Sequence, residues 1–228
     1  EASGIKSDGF HGVCYKYLAG ELSRRAPGVG WGKVIIAHLG SGASLCAIED
    51  GVSRDSSMGF STLDGIPMAT RCGALDPGVL LHLLGPLGRT ITEVEDTLYH
   101  QSGLLGVSGI SADSRELLMS DQPEAREAIA LFTFRIAGEI GRLAATLGGI
   151  DALVFTAGIG EHQPQIRAEI CDRLAWLGLK LSPAANAANA EEISTRSSPV
   201  SAYIIPTNEE QVIADEAFSV LNERAPAP

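Results

Sequence analysis

The residues best suited to chemistry in this chain sit where apolar runs break into glycine. His38, Gly40, Ser41 and Gly42 close the run Val34-Ile35-Ile36-Ala37-His38-Leu39, and Gly158, Ile159, Gly160 and Glu161 close Ala152-Leu153-Val154-Phe155-Thr156-Ala157. Glycine carries no Cβ, so the backbone there can turn sharply and approach a ligand closely. Amide N–H groups exposed at such a turn form a concave donor surface matched to phosphate oxygens. Arg71, followed by Cys72-Gly73, adds a permanent charge in a bidentate fork. One strand-to-glycine turn is common in α/β proteins. Two, with polar residues between them, point to a nucleotide site; the competing reading is a pair of tight turns that serve the fold alone.

The elements that must carry these residues read as α/β. Residues 33–39 and 43–49 are rich in strand formers, and Asp50-Gly51 is a hairpin signal. With a short strand near Val52 they predict an antiparallel meander. Helical spacing marks 12–25, then 77–85 and 91–101, the last capped by Thr90 or Thr92. Ser111-Ala112-Asp113 reads as another helix start. Pro123 opens a helix over 124–147 with apolar residues nearly all round, which predicts burial on more than one side, and Gly148-Gly149 stops it. A strand (152–157), a helix (164–177), a strand (202–205) and a helix after Thr207 follow, with 184–198 as a surface excursion. Residues 56–77 show no period, yet Met58, Phe60, Leu63, Ile66 and Met68 argue for an ordered functional loop.

Composition bounds the rest. The 228 residues are 45% hydrophobic and 20% charged, as in a globular protein with a sizeable core. A net charge of -11, from 28 acidic and 17 basic residues, argues against a broad nucleic-acid surface. Cys14, Cys46, Cys72 and Cys171 form no C-x-x-C pair and no metal-ligand spacing, so they read as reduced thiols. No secretory leader is visible and no apolar run approaches the ~18 residues of a membrane span. The expectation is a cytoplasmic protein without a membrane partner.

The run Ser57-Met58-Gly59-Phe60-Ser61-Thr62-Leu63-Asp64-Gly65, continuing through Ala69-Thr70-Arg71-Cys72-Gly73 to Asp76-Pro77, resembles the signature of the acetate kinase family. Gly9-Phe10-His11-Gly12, the phosphate loop His38 to Ser44, Asp113-Ser114-Arg115, Phe155 to His162 and Pro206-Thr207-Asn208-Glu209-Glu210 resemble its other motifs in the same order. The resemblance implies a ribonuclease-H-like fold of the actin, Hsp70 and sugar-kinase type, with a mixed sheet flanked by helices. It also implies reversible phosphoryl transfer from ATP to acetate, or to propionate, giving an acyl phosphate and ADP with Mg²⁺, in a homodimer. Residues 124–147 would suit the dimer contact, and a buried core helix explains them equally well.

Such a transfer spreads negative charge over equatorial phosphoryl oxygens, so catalysis rests on positioning and on donors aimed at that charge. Arg71 is the best candidate donor, against a structural arginine. The resemblance makes His11 a second stabiliser, although alone it would read as an ordinary loop histidine. His38 is either a ligand or a packed strand-end histidine. Leu39, Gly40, Ser41 and Gly42 fall on the phosphate side, with Ser41 where the family usually has asparagine. Gly158, Ile159, Gly160, Glu161 and His162 fall on the ribose and α-phosphate side. Asp113, Ser114 and Arg115 would flank the base and ribose, with a helix cap as the other reading of Asp113. Glu209 carries the metal assignment by resemblance; as sequence, Glu209 and Glu210 are equally first-turn acids favoured by the helix dipole.

Family members are longer, and this sequence begins at what would be their middle. Residues 1–207 are therefore expected to be the C-terminal nucleotide-binding domain. Residues 208–228 are expected to form a terminal helix that in the family packs on the missing N-terminal domain. That domain would supply a phosphate and metal loop, a carboxylate-binding arginine and a catalytic aspartate, so the chain alone is expected to be inactive. Ser7-Asp8 and Val13-Cys14 also depart from the family pattern around His11.

Overall fold

Strands β1 (Lys33–Leu39) and β4 (Ala152–Thr156) are the two near-continuous apolar runs, and they lie parallel at the centre of a sheet where both faces are covered. The computed structural model describes residues 11–208 and Glu210. Gly9 and Phe10 of the first motif, Glu209 and nearly all of the expected last helix lie outside the described residues. Strands β2 (Ala43–Glu49), β3 (Val52–Ser56) and β5 (Ser201–Ile204) complete a five-stranded sheet of order β3-β2-β1-β4-β5. The predicted meander is present, with β1, β2 and β3 antiparallel in turn. Its second turn places Asp50 at φ 53 and Gly51 at φ 75, the left-handed pair that a two-residue hairpin requires.

Around the sheet lie α1 (Gly12–Arg25), α2 (Pro77–Leu84), α3 (Ile91–His100), α4 (Gly103–Ser108), α5 (Ser114–Met119), α6 (Pro123–Leu147), α7 (Ala157–His162), α8 (Pro164–Arg173) and α9 (Pro183–Ala187). Successive β1 side chains point to opposite faces. Ile35, Ala37 and Leu39 enter the larger core with α6, while Val34 and Ile36 pack against Leu18 and Leu22 of α1.

Four expectations need correction. Helix α6 buries one broad stripe, from Ala125 and Ala128 through Phe132, Ile136 and Ile140 to Leu147, and leaves Phe134 56% exposed under the Arg173 guanidinium. Apolar residues around its circumference therefore overstated its burial. The second glycine stretch is not an open turn, because residues 157–162 form helix α7. The predicted helix over 164–177 breaks at Leu174 into α8 and a short 3₁₀ turn, and the supposed surface excursion contains α9 and the fully buried Ile193.

Residues 57–76 form an ordered irregular loop, with Met58, Ile66 and Met68 buried and Phe60 exposed. Helix α4, absent from the sequence reading, holds it. The amides of Leu104 and Leu105, unsatisfied within the helix, donate to Met68 O and Ala69 O at 2.9 and 3.0 Å. Gly103, at φ 61, leaves no room for a Cβ against the Met68 carbonyl. Thr90 opens α3 with a reciprocal capping box to Glu93.

Candidate functional site

The carboxyl ends of β1 and β4 open onto a cleft of about 740 Å³, the place where parallel strands of α/β sheets present ligands. One wall is the turn between β1 and β2. Gly40 N–H donates across the turn to Gly42 O at 3.2 Å, and Gly40, Ser41 and Gly42 all line the cleft. Ser41 O accepts from Ala69 N–H at 3.3 Å, tying this turn to the Arg71 loop. A Cβ on Gly42 would lie 3.7 Å from Arg71 Nη1 and 4.0 Å from His11 Nε2, so these two groups converge on the space the glycine leaves open. Met68 fixes Arg71: its amide donates to Arg71 O at 3.0 Å, and its sulfur lies 3.7 Å from Nη1. Among the described residues no carboxylate pairs with Arg71.

His11 sits just before α1 in the left-handed region, at φ 58. Its ring stacks on His38 with centroids 4.0 Å apart and planes 14° apart, and its Nδ1 lies 2.7 Å from Ser44 Oγ. His38 in turn meets the buried Cys14 thiol through Nδ1 at 3.3 Å. Burial first, and the neighbouring His11 second, pull His38 down to about 4, so it is neutral at pH 7.

The opposite wall comes from α5 and α7. Asp113 caps α5, accepting from Arg115 N–H at 2.8 Å, and its carboxylate meets the Arg115 guanidinium at 2.6 Å. Those contacts hold its carboxyl below the usual range. Arg115 is 74% exposed, so the pair adds little to stability. Ser114 is buried and accepts from Gln163 Nε2 at 2.8 Å, while Gln163 Oε1 is buried without a partner among the described residues. Gly158, Ile159 and His162 also line this wall.

The structure thus brings most of the sequence-selected residues to one cleft. Leu39 does not line it, being wholly buried in the larger core, and Glu161 turns its carboxylate back to accept from Ala157 N–H at 2.9 Å. Gly160 is buried, and Arg71 is not among the cleft's lining residues, although its Nη1 reaches to 3.7 Å of a Cβ placed on Gly42. Sequence reasoning missed Ala69, Ala112 and Gln163 on the walls. It also missed the fully buried Arg167, which donates to Gly160 O at 2.8 Å, to Asn186 Oδ1 at 2.7 Å and to Asn189 Oδ1 at 2.6 Å. A signal existed: Arg167 interrupts the apolar stripe Ile166, Ile170, Cys171. Among the described residues no group of three or more His, Cys, Asp or Glu side chains could hold a metal ion, and no helix is long and apolar enough to cross a membrane.

A β-meander continued by two parallel strands, with a ligand-sized cleft at their carboxyl ends, defines a domain of the acetate and sugar kinase, Hsp70 and actin superfamily. The model of the acetokinase family matches residues 1–215, and the chain belongs to that family. It is 55% identical over 214 residues to the acetate kinase of Rhodopseudomonas palustris (strain TIE-1), covering 92% of this chain and 54% of the relative. The crystal structure of Porphyromonas gingivalis acetate kinase superposes with a TM-score of 0.92 at 33% identity, over 96% of this chain and 57% of that one. A propionate kinase from Francisella tularensis subsp. tularensis SCHU S4 superposes at 0.89 and 36% identity, over 95% and 56%. The chain spans about half the length of the relatives it matches.

Proposed function

We propose that this chain is the nucleotide-binding half of an acetate kinase, which transfers the γ-phosphoryl group of ATP to acetate and reverses the reaction from acetyl phosphate. The observation that carries this reading is the convergence of Arg71 Nη1 and His11 Nε2 on the open space at Gly42, beside the Ser41 and Gly42 amides. Donors placed there meet negative charge that grows on the phosphoryl oxygens. The α5–α7 wall takes the adenosine, with Asp113, Ser114, Arg115, Gly158, Ile159 and His162 around it. Mg²⁺ supplies further charge neutralisation when bound and takes most of its ligands from water and phosphate. Glu209 is the one protein carboxylate proposed for it, and the described residues offer no competing cluster. Turnover needs the part of the relatives that lies outside the matched span. Propionate is the second acceptor to test, favoured by the propionate kinase likeness.

The homodimer belongs to the same proposal. Helix α2 has no buried residue and exposes Leu81 at 71%, and α6 leaves Phe134 outward, so both offer contact surface. Light scattering that reads a monomer at tens of micromolar would remove it.

The first test is a calorimetric titration of the chain with Mg-ADP. Gly158→Trp is the blocking variant, because Gly158 lines the cleft and a Cβ there meets nothing within 4 Å. Saturable binding, lost in a variant with an unchanged unfolding midpoint, supports the reading. Equal binding in both sinks the site assignment. Acyl phosphate formation with acetate or propionate, after adding the missing half of a relative, then ranks the two acceptors.

A further inference from the structure

Ser44 is a fully buried serine on β2 whose Oγ has two side-chain neighbours, His11 Nδ1 at 2.7 Å and the Tyr15 hydroxyl. Tyr15 is 6% exposed, and among the described residues its hydroxyl meets no hydrogen-bonding group besides Ser44. The hydrogens of this cluster can therefore be counted. A phenol and a serine each carry one O–H, and a neutral imidazole carries one N–H. If Tyr15 donates to Ser44 and Ser44 donates to His11 Nδ1, both hydroxyl hydrogens find an acceptor, and a neutral His11 holds its proton on Nε2. If Nδ1–H donated to Ser44 instead, Ser44 would donate to Tyr15, and the phenol hydrogen would face no acceptor. A buried donor without a partner is strongly disfavoured. Burial also holds the Tyr15 phenol well above its ordinary range, so that hydrogen is always present near neutral pH.

We infer that Tyr15 and Ser44 are positioning residues, a Tyr15-to-Ser44-to-His11 relay that fixes His11 as the Nε2–H tautomer beside Arg71 at Gly42. The inference rests on the proposed role of His11, since an N–H on Nε2 is the form that can donate to a phosphoryl oxygen. The stack on neutral His38 fixes the plane of the ring, and the relay fixes where its hydrogen sits. Neither Tyr15 nor Ser44 lines the cleft, so each acts through His11.

The test is a two-bond ¹⁵N–¹H correlation spectrum of the 228-residue chain labelled at histidine nitrogen, with the His11 signals assigned by their loss in His11→Gln. The wild-type spectrum is expected to show a protonated Nε2 and a bare Nδ1. In Tyr15→Phe the preference loses its source, and both ring nitrogens shift toward the mean of the protonated and bare positions. Ser44→Ala, a smaller change, is expected to give the same shift should Tyr15→Phe fold poorly. A wild-type His11 protonated on Nδ1, or on both nitrogens, overturns the relay, as does an unchanged His11 spectrum in the folded variants. The readout does not depend on nucleotide: failure to bind Mg-ADP would remove the proposed function and leave the tautomer result standing.

Discussion

The two glycine stretches, residues 40–42 and 158–160, leave neighbouring parallel strands and read alike, yet one is a turn and the other a helix. After β1 the chain reverses at once into β2, because Ala43-Ser44-Leu45 continues as a strand. After β4 it winds into α7, whose sixth residue is followed closely by Pro164 at the start of α8. Glycine permits either course, and its neighbours decide. The means of support differ as well. The first turn is held by its own Gly40-to-Gly42 bond and by Ala69, whereas the second is held from behind by the Arg167 guanidinium on Gly160 O.

The sharpest way to break that contrast is Arg167→Leu. The substitution leaves Gly160 O and the side chains of Asn186 and Asn189 without their buried donor. The expected loss is about 3 kcal/mol or more in urea unfolding. A loss below about 1 kcal/mol would mean that α7 does not depend on the clamp.

On the first turn the matching device is the half-buried His38, and it is read by pH. Its value is about 4 in the folded chain against 6.5 for the free side chain, so between those limits the unfolded state binds the extra proton. Stability must then fall as pH falls from 6.5 toward 4, by up to about 3 kcal/mol. Unfolding curves of wild type and His38→Gln across that window isolate the effect from His11, which stacks on it. Parallel curves would show that His38 keeps an ordinary value.

How much of this was open to sequence reading follows range and composition. The strands were legible because long apolar runs meet Asp-Gly and glycine stops, and α3 because Thr90 and Glu93 form a local cap. Helices α4 and α9 were not, since each is short, poor in helix-forming pattern and fixed by contacts from distant residues. Motif residues were legible as types, which placed His11, His38, Gly42 and Arg71 together by resemblance before any geometry. The Tyr15–Ser44 and His11–Ser44 contacts span 29 and 33 positions, and no local pattern encodes them. Arg167 was legible only as a charge on an apolar stripe, a pattern that marks burial without naming the partner.

Strain separates the two stretches at a smaller scale. The second carries a left-handed residue that is not glycine, Ala157 at φ 63. That conformation costs an L-residue about 1–2 kcal/mol, while a new glycine adds about 0.5–1 kcal/mol of unfolded-state entropy. Ala157→Gly should therefore raise stability by a net ~0.5 kcal/mol. A loss of stability would mean that the alanine methyl, which sits 3.6 Å from a Cβ placed on Gly40, packs more than it strains.

The smallest effect is expected at Gly42, and it bears most directly on why glycine is there. Gly42 lies outside the left-handed region, and among the described residues an added Cβ approaches only Arg71 Nη1 at 3.7 Å and His11 Nε2 at 4.0 Å, both ordinary contacts. Neither backbone conformation nor packing requires glycine at this position. Gly42→Ala should accordingly leave stability unchanged or raise it by about 0.5 kcal/mol. The same methyl fills the space on which the two donors converge, so Mg-ADP affinity should drop in a protein that unfolds no earlier than wild type. Unfolding and titration measured on one preparation separate the two needs. Lost stability would make Gly42 a structural glycine, whereas lost affinity alone would mark the space beside it as the part of the turn that a ligand uses.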